Sequence, residues 1–287
     1  MVILEVKNVS YGYFRGTPFE ITALDDVSFT VEKGELVGII GHTGSGKSTL
    51  IKMLNSLLKP EKGQILLDGK DINKDKASIK EARSRVGLCF QYPEYQLFEE
   101  TCAKDIAFGP KNMGLSKAEI EERVVAAAEF VGFNKELLDK SPFDLSGGQK
   151  RRCAIAGVMA MFPEVLILDE PTAGLDPKGR NELTAMLENY RKATGATVMI
   201  VSHSMDDMAR NADKILVMNK GRLAMNGTVP EIFSQSEKLI EMGLSVPLAT
   251  SLVNRLHTAL PDMGTDVFTV EAAAELLSSY YEGRKAR

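Results

Sequence analysis

Gly41-His42-Thr43-Gly44-Ser45-Gly46-Lys47-Ser48 is the stretch that decides the fold of this chain. It matches the pattern G-x-x-x-x-G-K-S, in which glycines let the backbone turn its N–H groups toward a phosphate chain. The preceding run, 36–40, is continuously apolar, as in a strand buried on both faces, and 47–58 has the pattern of a helix that stops before Pro60. Strand, loop and helix in this order predict a nucleotide-phosphate site at the start of the helix.

The residues of this loop are expected to have separate roles. Lys47 should reach the β- and γ-phosphates, and the hydroxyl of Ser48 should bind Mg²⁺. The predicted nucleotide-binding positions are Gly41, His42, Thr43, Gly44, Ser45, Gly46, Lys47, Ser48 and Thr49.

Two carboxylates follow a second apolar run. Asp169 and Glu170 come directly after 165–168, at the carboxyl end of a predicted strand, where open parallel sheets bind ligands. We expect Asp169 to join the Mg²⁺ shell and Glu170 to prepare a water for attack on the γ-phosphorus. An acidic pair at a strand end is by itself equally typical of a solvated surface, but the phosphate loop favours the catalytic interpretation.

Two more polar residues follow apolar runs. Gln91 ends the run 86–90, and its amide could contact Mg²⁺ and the attacking water. His203 follows the run 197–201, and its imidazole could contact the γ-phosphate. In isolation each residue is more often an ordinary polar loop residue or a hydrogen-bonded histidine.

Leu145-Ser146-Gly147-Gly148-Gln149 opens a predicted helix and has the features of a second anion site. Backbone N–H groups, the Ser146 hydroxyl and the helix dipole would all face a negative charge. Ser146 and Gln149 also have the spacing of a capping box, so an ordinary helix N-terminus is the alternative. Because one loop already holds the triphosphate, a second anion site needs another explanation.

The bulk composition argues against some functions. The net charge of −4 and the pI of about 5.6 disfavour a nucleic-acid partner. The three cysteines have no disulfide or metal-site spacing. No apolar run reaches the roughly 18 residues that a membrane span requires. We therefore expect a cytosolic chain that meets a membrane only through an embedded partner.

The chain alternates predicted strands and helices, which favours an α/β fold with a mostly parallel core sheet. An antiparallel β subdomain is predicted from 3–9, 27–31 and a hairpin over 64–72, and an inserted helical subdomain at about 92–160. The segment 235–287 is predicted to be a small C-terminal helical extension. Its last helix should start after Thr269 and present Val270, Ala274, Leu277 and Tyr281 on one stripe.

The motifs in this order resemble the ATP-binding cassette (ABC) ATPases. The resemblance covers 1 to about 235 and implies an ABC-type P-loop NTPase that hydrolyses ATP with Mg²⁺, with an ATP-binding domain at 1–234. It implies a head-to-tail pair, in which Ser146, Gly147, Gly148 and Gln149 contact ATP in trans. It further implies that Tyr13 stacks on adenine, with Tyr11 as the alternative. The segment 173–176 would couple the two nucleotide sites. His203 would be the switch histidine, and Gln91 would link the nucleotide site to a membrane partner.

The segments 91–101 and 105–110 resemble the ATPase subunits of energy-coupling factor transporters, most of all the second of their two paired ATPases. The resemblance implies uptake of vitamins or transition-metal ions in prokaryotes. The partners would be a second ATPase subunit, expected to be a paralogue in a heterodimer, a membrane T-component and a substrate-binding S-component. The chain would then lie peripherally on the cytoplasmic face of the membrane, and 235–287 would serve dimerisation.

Other transporter ATPases, such as those of exporters or lipid systems, are the alternative. A soluble ABC ATPase acting on nucleic acid is disfavoured, because this chain carries one cassette and no long coiled-coil insertion.

Overall fold

Two β-sheets form the framework of the described residues, 1–285, in this computed structural model. The strands within that range are β1 Val2–Tyr13, β2 Ile21–Glu32, β3 Leu36–Ile40, β4 Lys62–Leu67, β5 Lys70–Asp71, β6 Val86–Cys89, β7 Val165–Asp169, β8 Thr197–Val201, β9 Lys214–Asn219 and β10 Arg222–Thr228.

The larger sheet has six strands in the order β10-β9-β3-β8-β7-β6. From β9 to β6 all neighbours are parallel, and β10 adds to β9 in the antiparallel sense. Every residue of β3, β7 and β8 is buried, which explains why these strands are continuous apolar runs rather than alternating ones. The carboxyl ends of β3, β8, β7 and β6 consequently meet at one edge of the sheet.

The smaller sheet is antiparallel, in the order β2-β1-β4-β5. The turn between β4 and β5 has positive φ angles at Asp68 (51°) and Gly69 (74°). Both central residues of a type I′ hairpin turn require positive φ, so the predicted Asp-Gly hairpin is confirmed.

The helices cover both faces of the larger sheet and fill the segment between β6 and β7. Within 1–285 they are α1 Lys47–Leu54, α2 Lys76–Arg85, α3 Cys102–Met113, α4 Lys117–Phe130, α5 Lys135–Leu138, α6 Gly147–Met159, α7 Pro177–Thr194, α8 Met205–Asn211, α9 Val229–Phe233, α10 Ser236–Glu241, α11 Leu248–Ala259 and α12 Val270–Lys285, with 3-10 turns at Pro93–Gln96 and Pro142–Asp144.

Helix α1 is shorter than the sequence predicts. It ends at Leu54 rather than at 58, because Asn55 donates its side-chain amide to the backbone oxygen of Val86 and Ser56 takes up a left-handed backbone with φ of 54°. The chain therefore turns well before Pro60, and a side-chain contact rather than proline ends the helix.

The core lies in two clusters, one on each face of the larger sheet. Alternate residues of each strand enter opposite clusters, as the period of a β-strand requires. Ile40, Leu168 and Ile200 pack with the helices of the segment between β6 and β7, whereas Ile39 and Ile167 pack with α1 and the antiparallel sheet. The sheet is thereby held rigidly between two layers, which fixes the edge where its strands end.

The C-terminal helices form a small cluster of their own. The buried position of α12 is Ala273, which packs with Val253 and Met263. Of the predicted stripe, Leu277 packs against this cluster, whereas Val270 and Tyr281 are 54% and 62% exposed. Only part of the stripe is therefore covered by α11 and by the loop between α11 and α12.

Candidate active site

The phosphate loop connects β3 to α1, as predicted. Gly46 occupies the N-cap of α1 with φ of 103°, and no side chain caps the first turn. A Cβ atom at Gly46 would lie 2.6 Å from the backbone oxygen of Ala23, so only glycine fits this position without rearrangement. The N–H groups of the first helical turn therefore face the loop, which is the arrangement that binds phosphate.

Lys47 folds back over this loop. Its Nζ donates hydrogen bonds to the backbone oxygens of Gly41 at 2.7 Å and His42 at 3.0 Å, and the residue is buried. Burial lowers the pKa of Lys47, against the opposing effect of the Glu170 and Asp169 charges. A buried cation paired mainly with carbonyl oxygens is electrostatically suited to receive an anion.

Other loop residues are held by local contacts. The imidazole of His42 lies 3.1 Å from Oδ1 of Asn219 through Nε2 and 2.7 Å from the backbone oxygen of Thr43 through Nδ1. The Ser45 hydroxyl is buried and has no hydrogen-bond partner within the described residues. A buried polar atom without a partner is costly, and this one lies inside the loop that the sequence assigns to phosphate.

Asp169 lies at the end of β7, opposite the first turn of α1. Its Oδ2 approaches Oγ of Ser48 to 3.5 Å, and the carboxylate is largely buried. Burial raises the pKa of Asp169, and the neighbouring charge of Glu170 raises it further. The donor set of hydroxyl and carboxylate oxygens is the kind that Mg²⁺ prefers, with the remaining positions left to phosphates and waters. These residues therefore fit a magnesium site.

Glu170 lies between Gln91 and His203. Its Oε2 accepts a hydrogen bond from Nε2 of Gln91 at 2.9 Å, and its Oε1 lies 2.9 Å from Nε2 of His203. Glu170 has a left-handed backbone, with φ of 50°, which is uncommon outside glycine and is typical of functional turns. Because β6, β7 and β8 are neighbours, three side chains that are distant in sequence meet at one point.

Tyr13 lies beside the helix that follows the phosphate loop. Its hydroxyl is 3.3 Å from Oγ1 of Thr49, and its ring meets that of Tyr11 edge to face at 5.0 Å. Tyr13 is half-buried, whereas Tyr11 packs against the core of the antiparallel sheet. The position of Tyr13 is compatible with stacking on a nucleobase.

The run 145–149 does not join this cluster within one chain. Ser146 is the N-cap of α6 and forms the predicted capping box: its Oγ accepts from the N–H of Gln149 at 3.4 Å, and Oε1 of Gln149 accepts from the N–H of Ser146 at 3.0 Å. Ser146, Gly147 and Gly148 are exposed, and a Cβ at either glycine would meet nothing within 4 Å. Ser146 and Gly148 border a cavity of about 610 Å³ between α4, α6 and α7, and no residue of 41–48 lines it.

Sequence reasoning missed three residues near the site. Asn219 contacts His42 from the carboxyl end of β9. Arg180 lines a cleft with Glu170 and His203. Arg151 joins the loops that carry Gln91 and Glu170. All three act across contacts between elements that are distant in sequence, and no local motif marks them.

Comparison with known proteins identifies the family. The family described as "ABC transporter" matches residues 24–173. The energy-coupling factor transporter ATP-binding protein EcfA2 of Caldanaerobacter subterraneus subsp. tengcongensis is 55% identical, over 98% of this chain and 99% of that protein. The protein of the same name from Clostridium acetobutylicum is 52% identical over 98% of this chain and 99% of its own length.

Solved structures agree with the fold. The chain is similar to CbiO1 of Clostridium perfringens, described as part of the ABC transporter complex cbiONQ, with a TM-score of 0.74, 40% identity and coverage of 84% of this chain and 94% of that chain. A dimeric ATP-binding cassette in a post-hydrolysis state, bound to ADP and Pi, matches with a TM-score of 0.71, 27% identity and coverage of 79% and 99%.

Both sequence-based resemblances are therefore confirmed, and so is the fold class. Within 1–285 no helix combines the length and the apolar character that a membrane crossing demands. The chain belongs to the ABC transporter family, among the energy-coupling factor transporter ATP-binding subunits of the second type.

Proposed function

We propose that this chain hydrolyses ATP to power an energy-coupling factor importer, with Glu170 as the general base. The observation that carries the proposal is the placement of the Glu170 carboxylate 2.9 Å from both Gln91 and His203, at the strand ends beside the phosphate loop. Base, polar partners and phosphate loop thereby occupy one edge of the larger sheet.

The phosphate loop would hold the triphosphate through its backbone N–H groups. Lys47 would exchange its carbonyl partners for the β- and γ-phosphate oxygens, and Tyr13 would stack on the adenine ring. Ser48, Asp169 and the amide of Gln91 would hold Mg²⁺, which neutralises the charge that develops on the phosphates. The buried Asp169 is the one carboxylate of this set.

Glu170 would accept a proton from the water that attacks the γ-phosphorus. Both of its carboxylate oxygens are engaged in the free chain, one by Gln91 and one by His203. A general base must lie within hydrogen-bond reach of the water. Each carboxylate oxygen of Glu170 can accept a second hydrogen bond, so the water could bind while Gln91 and His203 hold the carboxylate in place.

The run 145–149 would complete the site of a second subunit. Ser146, Gly147 and Gly148 are exposed at the N-terminus of α6 and lie apart from the phosphate loop of their own chain. Exposed glycines with space around them let another molecule's phosphate approach the helix N-terminus. Gln149 completes the capping box, because its side-chain oxygen accepts a hydrogen bond from the N–H of Ser146, and it thereby stabilises the helix N-terminus.

The membrane partner would bind near Gln91. Tyr95 is 85% exposed and Phe98 58% exposed, which is unusual for large aromatic side chains and is typical of an interaction surface. We propose that a T-component covers this surface on the cytoplasmic face of the membrane, that an S-component captures a vitamin or a transition-metal ion, and that a paralogous ATPase completes a heterodimer through the 235–287 extension.

Replacement of Glu170 by glutamine tests the proposed base. Glu170→Gln keeps the shape and the hydrogen-bonding capacity but cannot take a proton, so turnover should fall by about a hundredfold or more while ATP binding is retained. Glu188→Gln, which removes an exposed carboxylate paired with Lys192 on α7, is the matched control and should leave turnover unchanged. Wild-type turnover in Glu170→Gln would remove Glu170 from the base role.

A further inference from the structure

Arg151, on helix α6, is a buried arginine that contacts several residues in other segments. Its Nε and one terminal nitrogen bind the two carboxylate oxygens of Glu94 at 3.0 and 2.7 Å. The other terminal nitrogen donates to the backbone oxygens of Pro171 at 3.3 Å and Ala173 at 2.6 Å. The residue is 6% exposed, and its guanidinium lies over the ring of Tyr92, 5.9 Å from the centroid.

These partners lie in the two loops that hold the proposed base and its amide partner. Glu94 and Tyr92 follow Gln91 in the loop after β6, and Pro171 and Ala173 follow Glu170 in the loop after β7. Arg151 itself lies on the helix that Ser146 caps. One side chain therefore joins three segments that each carry candidate site residues.

The backbone of both loops is strained where Arg151 holds it. Tyr92 and Glu170 have φ angles of 54° and 50°. Such conformations cost about 1 kcal/mol or more in non-glycine residues and persist where the surroundings fix them from several sides. The guanidinium fixes the chain on the C-terminal side of each strained residue.

The ionic character of this contact favours a geometric role over a stabilising one. Taking a guanidinium and a carboxylate out of water is costly, and apolar residues of similar size often serve stability equally well. A planar guanidinium, by contrast, has N–H donors at fixed angles to one another. It can therefore bind a carboxylate through two of them and backbone carbonyl oxygens through others. No single apolar side chain imposes that geometry on two loops at once.

We propose that Arg151 is a positioning residue that sets Glu170 against Gln91 and couples both to helix α6. Contact of 145–149 with a neighbouring subunit's nucleotide would shift α6, and the guanidinium would carry that shift to the loops after β6 and β7. The proposal rests on the proposed function of Glu170 and Gln91.

The chain contains a matched control for this arrangement. Arg85 also binds a glutamate at two points, with Nε and a terminal nitrogen at 2.6 and 3.1 Å from the carboxylate oxygens of Glu164. Arg85 directly precedes β6 and Glu164 directly precedes β7, so this pair joins the same two strands at their amino ends, away from the site.

The test compares Arg151→Gln with Arg85→Gln in the full chain. We expect Arg151→Gln to lower kcat by about tenfold or more, since small misplacements of a catalytic group are costly, while KM for ATP stays within about threefold, because Lys47 and the phosphate loop are untouched. Arg85→Gln should leave kcat within about twofold of wild type. Thermal unfolding of both variants shows whether each is folded.

Amide hydrogen exchange gives a readout that does not depend on turnover. In Arg151→Gln the segments 92–98 and 172–176 should exchange faster together, although they are distant in sequence, and in Arg85→Gln neither should change. Arg151→Lys keeps the charge but carries its donors on a single nitrogen and lacks the planar fork, so it should not hold Glu94 at two points and the carbonyl oxygens together, and kcat should be intermediate. If Arg151→Gln does not fold, Arg151→Lys takes its place, and its kcat and amide exchange are compared with those of Arg85→Gln.

Three results would overturn the proposal. They are an unchanged kcat in Arg151→Gln, a rise of KM that accounts for the whole loss, or an equal loss in Arg85→Gln. A Glu170→Gln variant with normal turnover would instead overturn the proposed base, and the exchange experiment would still show whether Arg151 joins the two loops.

Discussion

Asp169 is a carboxylate whose position favours function over stability. Burial and the neighbouring Glu170 raise its pKa in the folded chain above the ordinary value of 3.8. The folded state therefore binds the Asp169 proton more readily than the unfolded state does. Stability contributed at this position falls as pH rises from the ordinary pKa through the raised one, because deprotonation then leaves a charge in a desolvated site.

Asp169→Asn should consequently stabilise the nucleotide-free chain. We expect the free energy of unfolding at neutral pH to rise by about 1 kcal/mol, the usual scale when a functional carboxylate is neutralised. The gain should shrink as pH is lowered through the raised pKa of Asp169, because the wild-type carboxylate then becomes protonated and loses its charge. Thermal unfolding across pH measures both effects, with Asp262→Asn at an exposed position as the control. A lower Tm in Asp169→Asn at neutral pH would contradict this account.

The meeting of three candidate site residues could be predicted from sequence, because a strand end marks each of them. Gln91, Glu170 and His203 each follow a continuous apolar run, and parallel neighbours bring such ends together. Arg151 could not be predicted, because its partners lie on two loops that only the folded sheet places side by side.

The loop between β3 and α1 shows how one element fixes the position of the site. Gly46 and Gly44 both have positive φ, 103° and 80°, but their surroundings differ. A Cβ at Gly46 would lie 2.6 Å from the Ala23 oxygen, whereas one at Gly44 would meet nothing within 4 Å. Alanine substitutions at the two positions therefore distinguish the cost of a left-handed backbone, which both share, from the cost of a steric clash, which only Gly46 adds.

Gly46→Ala should be more destabilising than Gly44→Ala. Both variants acquire left-handed strain of about 1 kcal/mol, and Gly46→Ala must in addition move the chain at Ala23. We expect a clearly lower Tm for Gly46→Ala, measured without nucleotide so that phosphate binding does not enter. Equal losses in the two variants would show that the contact with Ala23 does not hold the loop.

The ends and faces of helices were predicted less well than their existence. Helix α1 ends early because Asn55 binds a carbonyl oxygen of β6, a contact that the helical pattern does not contain. Helix α12 buries Ala273, which lies outside the predicted stripe, and covers only Leu277 of that stripe in part, since its packing partners are α11 and the preceding loop. Both differences come from tertiary contacts, which local periodicity does not report.

Within residues 1–285 the molecule contains two halves of the proposed site, and these halves do not meet. The phosphate loop and Glu170 lie at one edge of the larger sheet, and Ser146, Gly147 and Gly148 lie exposed at the N-terminus of α6. The similar dimeric cassette bound to ADP and Pi supports an arrangement in which two subunits bring such halves together. Each subunit would then contribute to both nucleotide sites.

Single and double variants of this chain can separate a shared site from a site within one chain. In an assembled heterodimer, Lys47→Ala should remove the site on this chain's own loop, and Ser146→Arg should remove the site on the partner's loop by steric and electrostatic interference. The double variant should then trap no nucleotide, whereas each single variant traps nucleotide at one site. If the double variant still traps nucleotide at one site, Ser146 acts on its own chain.

A structure of the assembled transporter with ATP, trapped by Glu170→Gln, tests the shared site most directly. We expect the backbone N–H of Gly147 to lie within hydrogen-bond distance, about 3 Å, of the γ-phosphate held by the neighbouring subunit's loop. Gly147 facing solvent, away from any triphosphate in every ATP-bound arrangement, would contradict the account.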